Sequence, residues 1–505
     1  MSLYLSSLSE ALPTESDSDP TTFPRPRPTV TASPTSSIWR DLPESVFRQH
    51  VVDLEKLTNA VPVDAQAFPM PSSSPDALVA NAAAATTDSD GEAGAHPAVH
   101  TGVTSEATGT QDSYRDFDGH HLHFHARQLT LAAEQRLADD IAYLVAVGEG
   151  AQSVAATTVQ ESRTRHGAGE QPQNAGLRVT IASVDAIQPD SQAFLRSVFQ
   201  LLSAAPRAKK LDGLLDVVVR HHQTRLLNRL RSAKWKKPIY LSRTHKKPLY
   251  ADFTNLVHRV QFLYTKREMV VRTQLEGELL ALANLLEAFE TETNDHEKLV
   301  GIVRSSYDLC TSPLVAEYLE RLQAGRATTQ IQACLKTLRQ LEKIAAYYRI
   351  CQTLTGLSHS HAKTFDSVEL LFLPPFEAVP LTLAYQPWAR STHVHAEVIL
   401  TIHHDLEKPD GPWHKPRCLG ASKYFCYLCF LFIRHHGTYF AANTHGACYD
   451  QWTVPDLADY PQSVANHYRE VLRAMDAEIL TQTRDAVWRP EPMTSRENLI
   501  GMIEE

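Results

Sequence analysis

The chain has 505 residues, a formal net charge of −9 and 43% hydrophobic residues. This length allows about two or three domains, and the acidic balance argues against a chain that coats nucleic acid along its whole length. No stretch approaches the roughly 18 apolar residues of a membrane span, and the N-terminus lacks a secretory signal. The seven cysteines include a C-x-x-C pair, which is typical of a metal site in a reducing compartment. We therefore expect an intracellular protein, cytoplasmic or nuclear, with no membrane partner.

Residues 1–115 are rich in Pro, Thr, Ser and Asp, and through Asp116 the chain carries 16 acidic against 6 basic residues. Because this segment has too little apolar surface to offset the entropy cost of ordering its backbone, we predict that it is disordered and acidic. One island, residues 37–59, has apolar residues at helical spacing. It predicts a short helix that packs on the main body, or alternatively a motif through which the segment binds protein partners.

Residues 117–358 predict an all-α accessory region. Four histidines between 119 and 129 could bind metal, but no Cys or carboxylate completes a site, and a helix start is the simpler interpretation. A polar stretch at 158–176 predicts a long loop. The clearest helical periodicity lies at 275–290 and 333–354.

A basic island lies within this region at residues 207–248, where 13 Lys or Arg stand against two Asp. Phosphate contacts require such a local positive field, and the interleaved aromatic residues could stack on bases. Three interpretations stay open: a nucleic-acid contact, a nuclear-import signal, and a solvated or intramolecularly paired helix face. The candidate nucleic-acid-binding residues are Lys234, Lys236, Lys237, Lys246 and Lys247.

The pattern changes after Leu357. Short apolar runs alternate with two helical segments that begin at a His-Ala-Glu and a Cys-x-x-Cys sequence, which predicts an α/β sheet with helices packed on it over residues 365–460. The predicted strands lie at 367–376, 379–385, 417–421 and 438–442. An amphipathic helix at 461–484 follows, within a C-terminal region that extends to residue 505.

The chemistry of the chain is predicted from His395, Glu397, Cys426 and Cys429. Two thiolates within one helical turn and one imidazole are ligands that Zn²⁺ prefers, and three protein ligands leave a fourth position for water. Glu397 is not needed as a ligand and is available to move protons, as in the H-x-E and C-x-x-C arrangement of zinc deaminases. The sequence therefore predicts a catalytic zinc site.

A closed zinc site that only stabilises the fold is the competing interpretation. A His-x-Glu sequence has no purpose in such a site, which favours the open one. Further potential ligands are nevertheless present nearby: His393, His403, His404, Cys418, His435, His436, His445 and Cys448.

These motifs, together with Ser422-Lys423 and with Thr444-His445-Gly446 and Trp452, resemble a fungal branch of the nucleic-acid and nucleotide deaminase superfamily over residues 365–460. The resemblance implies a cytidine-deaminase-like fold, zinc bound by His395, Cys426 and Cys429, and Glu397 as the acid and base. Phe425 stands where that superfamily usually has Pro, which we interpret as variation of the branch.

The sequence thus predicts a zinc-dependent hydrolytic deaminase of cytosine or adenine in a nucleic acid or nucleotide. Asn443, His445 and Trp452 are candidate substrate-binding residues. The alternative is an inactive deaminase-fold protein with structural zinc that binds protein or nucleic acid.

Overall fold

The computed structural model describes residues 26–27, 32–58, 61, 113–115, 121–123, 127–148, 153–163, 176–204, 207–238, 247–291, 295–385, 387, 389–408, 411–440, 444–485 and 499–500. Most of the predicted disordered segment 1–115 lies outside these residues. So do His120 and His125 of the histidine-rich run, the candidate substrate residue Asn443 and the candidate nucleic-acid residue Lys246.

Fourteen α-helices and eight strands are formed by the described residues. The helices are α1 (Glu44–Leu57), α2 (Leu131–Val145), α3 (Pro189–Ala204), α4 (Arg207–His221), α5 (Gln223–Leu230), α6 (Tyr250–Leu263), α7 (Met269–Thr291), α8 (Asp295–Cys310), α9 (Pro313–Ala324), α10 (Thr329–Ser360), α11 (Ala362–Phe365), α12 (Ala396–Leu406), α13 (Tyr427–His436) and α14 (Gln462–Asp485). The strands are β1 (Ser113–Arg115), β2 (His121–His123), β3 (Ala155–Glu161), β4 (Leu177–Ser183), β5 (Val368–Phe372), β6 (His393–Val394), β7 (Gly420–Ala421) and β8 (Trp452–Thr453).

A mixed four-stranded sheet in the order β5-β4-β3-β7 lies at the centre of the fold. Strand β3 is antiparallel to both β4 and β7, whereas β4 is parallel to β5. Two smaller pairs accompany it: β1 with β2, and β6 in parallel with β8. The fold is therefore mixed α/β, as the sequence predicts.

The prediction of an all-α region over residues 117–358 is wrong, because β3 and β4 lie inside it. These two strands form the middle of the sheet, and β3 occupies residues that include part of the predicted loop 158–176. Every residue of β3 is buried, including Thr157, Thr158 and Gln160. A strand covered on both faces lacks the alternation of apolar and polar residues by which a strand is recognised, which explains the error.

The two faces of the sheet belong to different cores. On one face, Val159, Val179 and Ile181 pack into a large core that α2 shares with the helices α3–α10. On the other face, the small residues Ala156 and Ala182 join the core formed by α12, α13, α14 and α1. Alanine at these two paired positions lets α12 approach the sheet closely, which brings that helix directly onto β3 and β4.

Most of the other predicted elements agree with the structure. Two expected helices, at 275–290 and 333–354, lie within α7 and α10. The helix expected at 461–484 coincides with α14. The helix expected at 37–59 is α1, and it packs against α14.

Two predicted strands do not form as expected. The one at 379–385 is wrong, because only Pro380 makes a β-bridge there, to Ser391. Of residues 438–442, the structure describes the first three, and Phe440 bridges Cys418. Among the described helices, none combines the length and apolar character needed to cross a membrane.

A buried ion pair connects α2 and α10 within the larger core. The guanidinium of Arg349 on α10 donates to both carboxylate oxygens of Asp140 on α2, at 2.6 and 2.9 Å. Both side chains are at least nine-tenths buried. Because each charge is shielded from water, removal of one partner takes from the other its main charged contact in the interior.

We predict that Arg349→Met lowers the free energy of unfolding by ~3–5 kcal/mol, because it removes the bidentate charged partner of the buried Asp140 carboxylate. Arg220→Met is the matched control, since Arg220 pairs with Asp216 on the surface and exposed pairs contribute ~0–1 kcal/mol. Chemical denaturation of both variants measures the difference. An equal loss in the two variants would contradict the role assigned to the buried pair.

Candidate metal centre

His395 is placed by the junction between β6 and α12. Strand β6 pairs in parallel with β8, so that His393 lies opposite Trp452 and Val394 opposite Thr453. His395 is the residue that caps the N-terminus of α12, and its carbonyl accepts from the Ile399 N–H at 3.0 Å. The half-buried His395 imidazole is thus held at the start of α12, most of whose residues are buried.

The cysteine pair is placed by the start of α13. Cys426 is the N-cap residue, and its sulfur accepts a hydrogen bond from the Cys429 N–H at 3.3 Å. This bond uses a backbone donor that the helix itself cannot satisfy. It also directs both sulfurs towards the same side of the helix start.

The Thr-His-Gly sequence secures the residues beside Cys426. The Thr444 hydroxyl and the His445 N–H both donate to the Phe425 carbonyl, at 2.8 and 3.1 Å. The Tyr427 N–H donates to the Ala447 carbonyl at 2.9 Å. The loop that contains this motif therefore anchors the chain on both sides of Cys426.

Ser422 has a similar anchoring role at the strand that precedes α13. Its hydroxyl accepts from the Ala155 N–H at 3.1 Å, and its own N–H donates to the Ala155 carbonyl at 2.9 Å. This motif residue thereby ties the cysteine segment to β3. The Ser-Lys and Thr-His-Gly motifs are thus explained in part by the support they give to the site.

His395, Cys426 and Cys429 form a cluster that could hold a metal ion. The Nδ1 atom of His395 lies 3.5 Å from the Cys426 sulfur and 3.4 Å from the Cys429 sulfur. A tetrahedral zinc ion with ordinary Zn–N and Zn–S bond lengths separates its nitrogen and sulfur ligands by about 3.6 Å. The donor set and its spacing therefore fit zinc.

The fitted cluster has three members. Among the residues that the structure describes, no fourth His, Cys, Asp or Glu atom joins it. His436 pairs instead with Asp405, His435 with Glu478, and Cys418 packs in a separate small core. Cys448 shares the core of the two ligating cysteines but does not belong to the cluster. This arrangement favours a site with an open position.

A second group of potential ligands, His403, His404 and Glu407, lies at the other end of α12. Here His404 is fully buried, with one ring nitrogen 2.7 Å from the Thr158 hydroxyl and the other 2.8 Å from Glu407. Hydrogen bonds within the fold use both nitrogens, so this group is explained by packing of α12 on β3.

Glu397 lies beside the cluster without being one of its three members. Its Oε2 atom is 3.4 Å from the Cys429 sulfur, and only 3% of the residue is exposed. Burial raises the pKa of this carboxyl above its ordinary value. A carboxyl group in this environment holds a proton more readily than an exposed one, which suits proton transfer.

The two sulfurs have different electrostatic environments. Burial opposes ionisation of Cys426, but the hydrogen bonds from Cys429 and the charge of His395 together lower the pKa of Cys426 well below its ordinary value. Burial and the neighbouring Cys426 raise the pKa of Cys429. The imidazole and a thiolate thus stabilise each other within the cluster.

Comparison with known protein families supports the chemistry of this cluster. Residues 394–456 match the family model described as OTT_1508-like deaminase. This match supports a deaminase-family assignment for the segment, which contains His395, Glu397 and the cysteine pair. No curated protein and no solved structure matches the chain.

The predicted substrate residues lie at different depths. Trp452 is only 2% exposed, and its indole N–H points at the Cys429 sulfur, 3.3 Å away. This buried position favours a packing role over contact with a substrate. His445 is half-buried, and its Nδ1 accepts from the Ala447 N–H at 3.1 Å. Tyr449, between His395 and His445, is also half-buried.

The predicted nucleic-acid lysines that the structure describes, Lys234, Lys236, Lys237 and Lys247, lie in the chain segment between α5 and α6, whose helices pack in the other core. The island's helices α4 and α5 pack on the face of the sheet away from α12. Lys234 pairs with Asp295 and Lys247 with Asp252, whereas Lys236 and Lys237 are exposed. Part of the island's charge is therefore balanced within the helical layer.

Sequence reasoning missed the contribution of the segment around α1. Phe47 packs against Trp452 with ring centroids 6.0 Å apart, and the buried Arg48 donates to the Asp450 carbonyl. The signal was the apolar face of residues 37–59, which predicts packing on the main body but not against which element.

We predict that purified full-length protein contains equimolar zinc, and that Cys429→Ser abolishes the zinc content because a hydroxyl is a much weaker zinc ligand. Cys418→Ser is the control, since this buried thiol lies outside the cluster and its loss leaves the three ligands intact. Elemental analysis of both variants provides the measurement. Zinc retained at the wild-type level in Cys429→Ser would contradict the assignment.

Proposed function

We propose that this protein is a zinc-dependent hydrolytic deaminase that acts on cytosine or adenine in a nucleic acid or nucleotide. The observation that carries the proposal is the three-member cluster of His395, Cys426 and Cys429 with a buried carboxylate, Glu397, beside it. The match of residues 394–456 to a deaminase family supports the same reaction.

We further propose that the arrangement is cytidine-deaminase-like. Support comes from two helices, α12 and α13, that lie on one face of a mixed sheet and contribute their ligands from their N-terminal ends. The N-termini of both helices provide positive dipole ends, and at α13 the Cys429 N–H donates to the Cys426 sulfur; both features favour an ionised thiol.

Different residues would bind the metal and transfer protons in this reaction. Zinc, when bound by His395, Cys426 and Cys429, supplies a Lewis acid at the point of reaction. Glu397 accepts one proton of the attacking water at Oε2 and gives it to the ring nitrogen, and it then accepts the second proton of that water and gives it to the amino group, which leaves as ammonia. The raised pKa of this carboxyl favours its holding the proton between the two transfers. Hydrolysis is balanced by one water consumed and one ammonia released.

Glu397→Gln keeps the shape of the side chain but cannot accept a proton. We predict that ammonia release falls by about 10²–10⁴-fold in this variant, the usual contribution of a general acid and base. Zinc content should stay equal to that of the wild type, because Glu397 is not a member of the ligand cluster.

The substrates to screen are cytidine, adenosine, single-stranded DNA and single-stranded RNA. Equal activity in the wild type and Glu397→Gln would rule out this mechanism. Zinc binding without conversion of any of these substrates would favour the alternative function, in which a deaminase fold with structural zinc serves as a binding module.

Variants in the basic island test whether the substrate is a polynucleotide or a free nucleotide. Its exposed residues Lys236 and Lys237 are the candidates for phosphate contact, since Lys234 and Lys247 already pair with carboxylates. We predict that Lys236→Glu with Lys237→Glu weakens binding of single-stranded nucleic acid and flattens its salt dependence by about one unit of slope for each lost contact.

Arg326→Glu is the control for this double variant, because Arg326 is exposed but lies outside the island. Fluorescence anisotropy at several salt concentrations measures both effects. An equal loss in the control would indicate a general charge effect. No loss in either variant would favour a free nucleotide as the substrate.

A further inference from the structure

The described residues between Ala32 and Val61, which we term the N-terminal strap, lie against the matched deaminase segment. At one end, the Ala32 N–H and the Ser37 hydroxyl bond to Asp456, at 3.2 and 2.6 Å. At the other end, the Val61 N–H donates to the Gly446 carbonyl at 2.8 Å. The strap therefore contacts the segment on both sides of β8.

Gly446 is fitted to this contact. Its φ of +76° lies in the left-handed region, and a Cβ atom built there would stand 2.1 Å from the Val61 carbonyl oxygen. Only glycine satisfies both conditions. The glycine of the Thr-His-Gly motif thus provides the space into which the strap fits.

The middle of the strap fixes the loop that leads into β8. Arg48 is 6% exposed and donates to the Asp450 carbonyl and, at 2.6 Å, to Glu44. Glu44 in turn accepts from the Thr453 hydroxyl at 2.8 Å. These bonds hold the residues on both sides of Trp452 from within α1.

Trp452 connects the strap to the metal ligands. Its ring packs against Phe47 of α1 and against Phe432 of α13, with centroids 6.0 and 5.9 Å away. Its indole N–H, a donor only, lies 3.3 Å from the Cys429 sulfur. Because Trp452 is only 2% exposed and packs on both rings, these contacts restrain the orientation of the indole and of its donor.

We propose that the N-terminal strap is an integral part of the metal centre, with Trp452 as a positioning residue for Cys429 and Phe47 as its support. The N–H donor stabilises the thiolate and fixes the direction of its lone pairs, as hydrogen-bonding partners outside the ligand set do in other metal sites. The inference rests on the proposed zinc site.

Trp452→Phe tests the donor, because it keeps an aromatic ring in the core but removes the N–H. We predict a loss of zinc affinity of about 10-fold or more, the range found when such outer partners are removed. Phe47→Ala should weaken zinc binding in the same direction while leaving the donor itself present.

Trp413→Phe is the matched control. Trp413 lies beside Arg178 in the loop after α12, away from the cluster. The Trp413→Phe protein should therefore bind zinc with the same affinity as the wild type. Full-length proteins are compared by competition with a chromophoric chelator, and circular dichroism verifies that each variant is folded. Substitution of zinc by Co²⁺ adds a second readout, since a changed hydrogen bond to sulfur shifts the thiolate-to-cobalt absorption band.

Weaker zinc binding and a shifted cobalt band in folded Trp452→Phe, both absent from Trp413→Phe, would support the inference. Wild-type zinc affinity together with an unshifted band in Trp452→Phe would overturn it. Neither result depends on activity. A wild-type protein that binds zinc but deaminates none of the screened substrates would refute the proposed function and leave this inference intact.

Discussion

The constraint at the centre of this structure is that the imidazole at the start of α12 must meet the two sulfurs at the start of α13. The Nδ1 atom of His395 is 3.5 and 3.4 Å from the two sulfurs, although 31 residues separate it from the first of them along the chain. Two thiols and one imidazole that converge this closely in a buried place form a donor set that could hold a metal ion, and their spacing fits zinc.

Segments that are distant along the chain hold His395, Cys426 and Cys429 in place. Strand β3 carries α12 on one face and anchors Ser422 ahead of α13, while the Thr444 loop holds Phe425. The strap reaches the same place from the N-terminal side through Phe47 and Trp452. The region that matches a deaminase family is therefore only part of the structural unit around the cluster.

The sequence was sufficient to predict that His395, Cys426 and Cys429 lie together, because zinc chemistry restricts residue type and spacing more than it restricts the fold. It also predicted α12, α13 and α14 and the α/β character of the chain. It failed for β3 and β4, since strands buried on both faces carry Thr and Gln inside and lose their alternating pattern.

Contacts made across long separations could not be predicted at all. The pairing of Phe47 with Trp452 joins residues about four hundred positions apart, and nothing in the local pattern of either residue specifies its partner. The same holds for Asp140 and Arg349, where a charged residue on each of two helices becomes buried only in the folded protein. Local sequence fixes elements, and tertiary packing decides which of their faces meet.

The most direct test of the central claim is X-ray absorption spectroscopy at the zinc edge of the full-length protein. An open site formed by His395, Cys426 and Cys429 predicts two sulfur ligands at about 2.3 Å and two lighter N or O ligands at about 2.0–2.1 Å. A third sulfur ligand, which Cys448 or Cys418 would have to supply, would mean that the site is closed. That result would contradict a catalytic zinc centre in this protein.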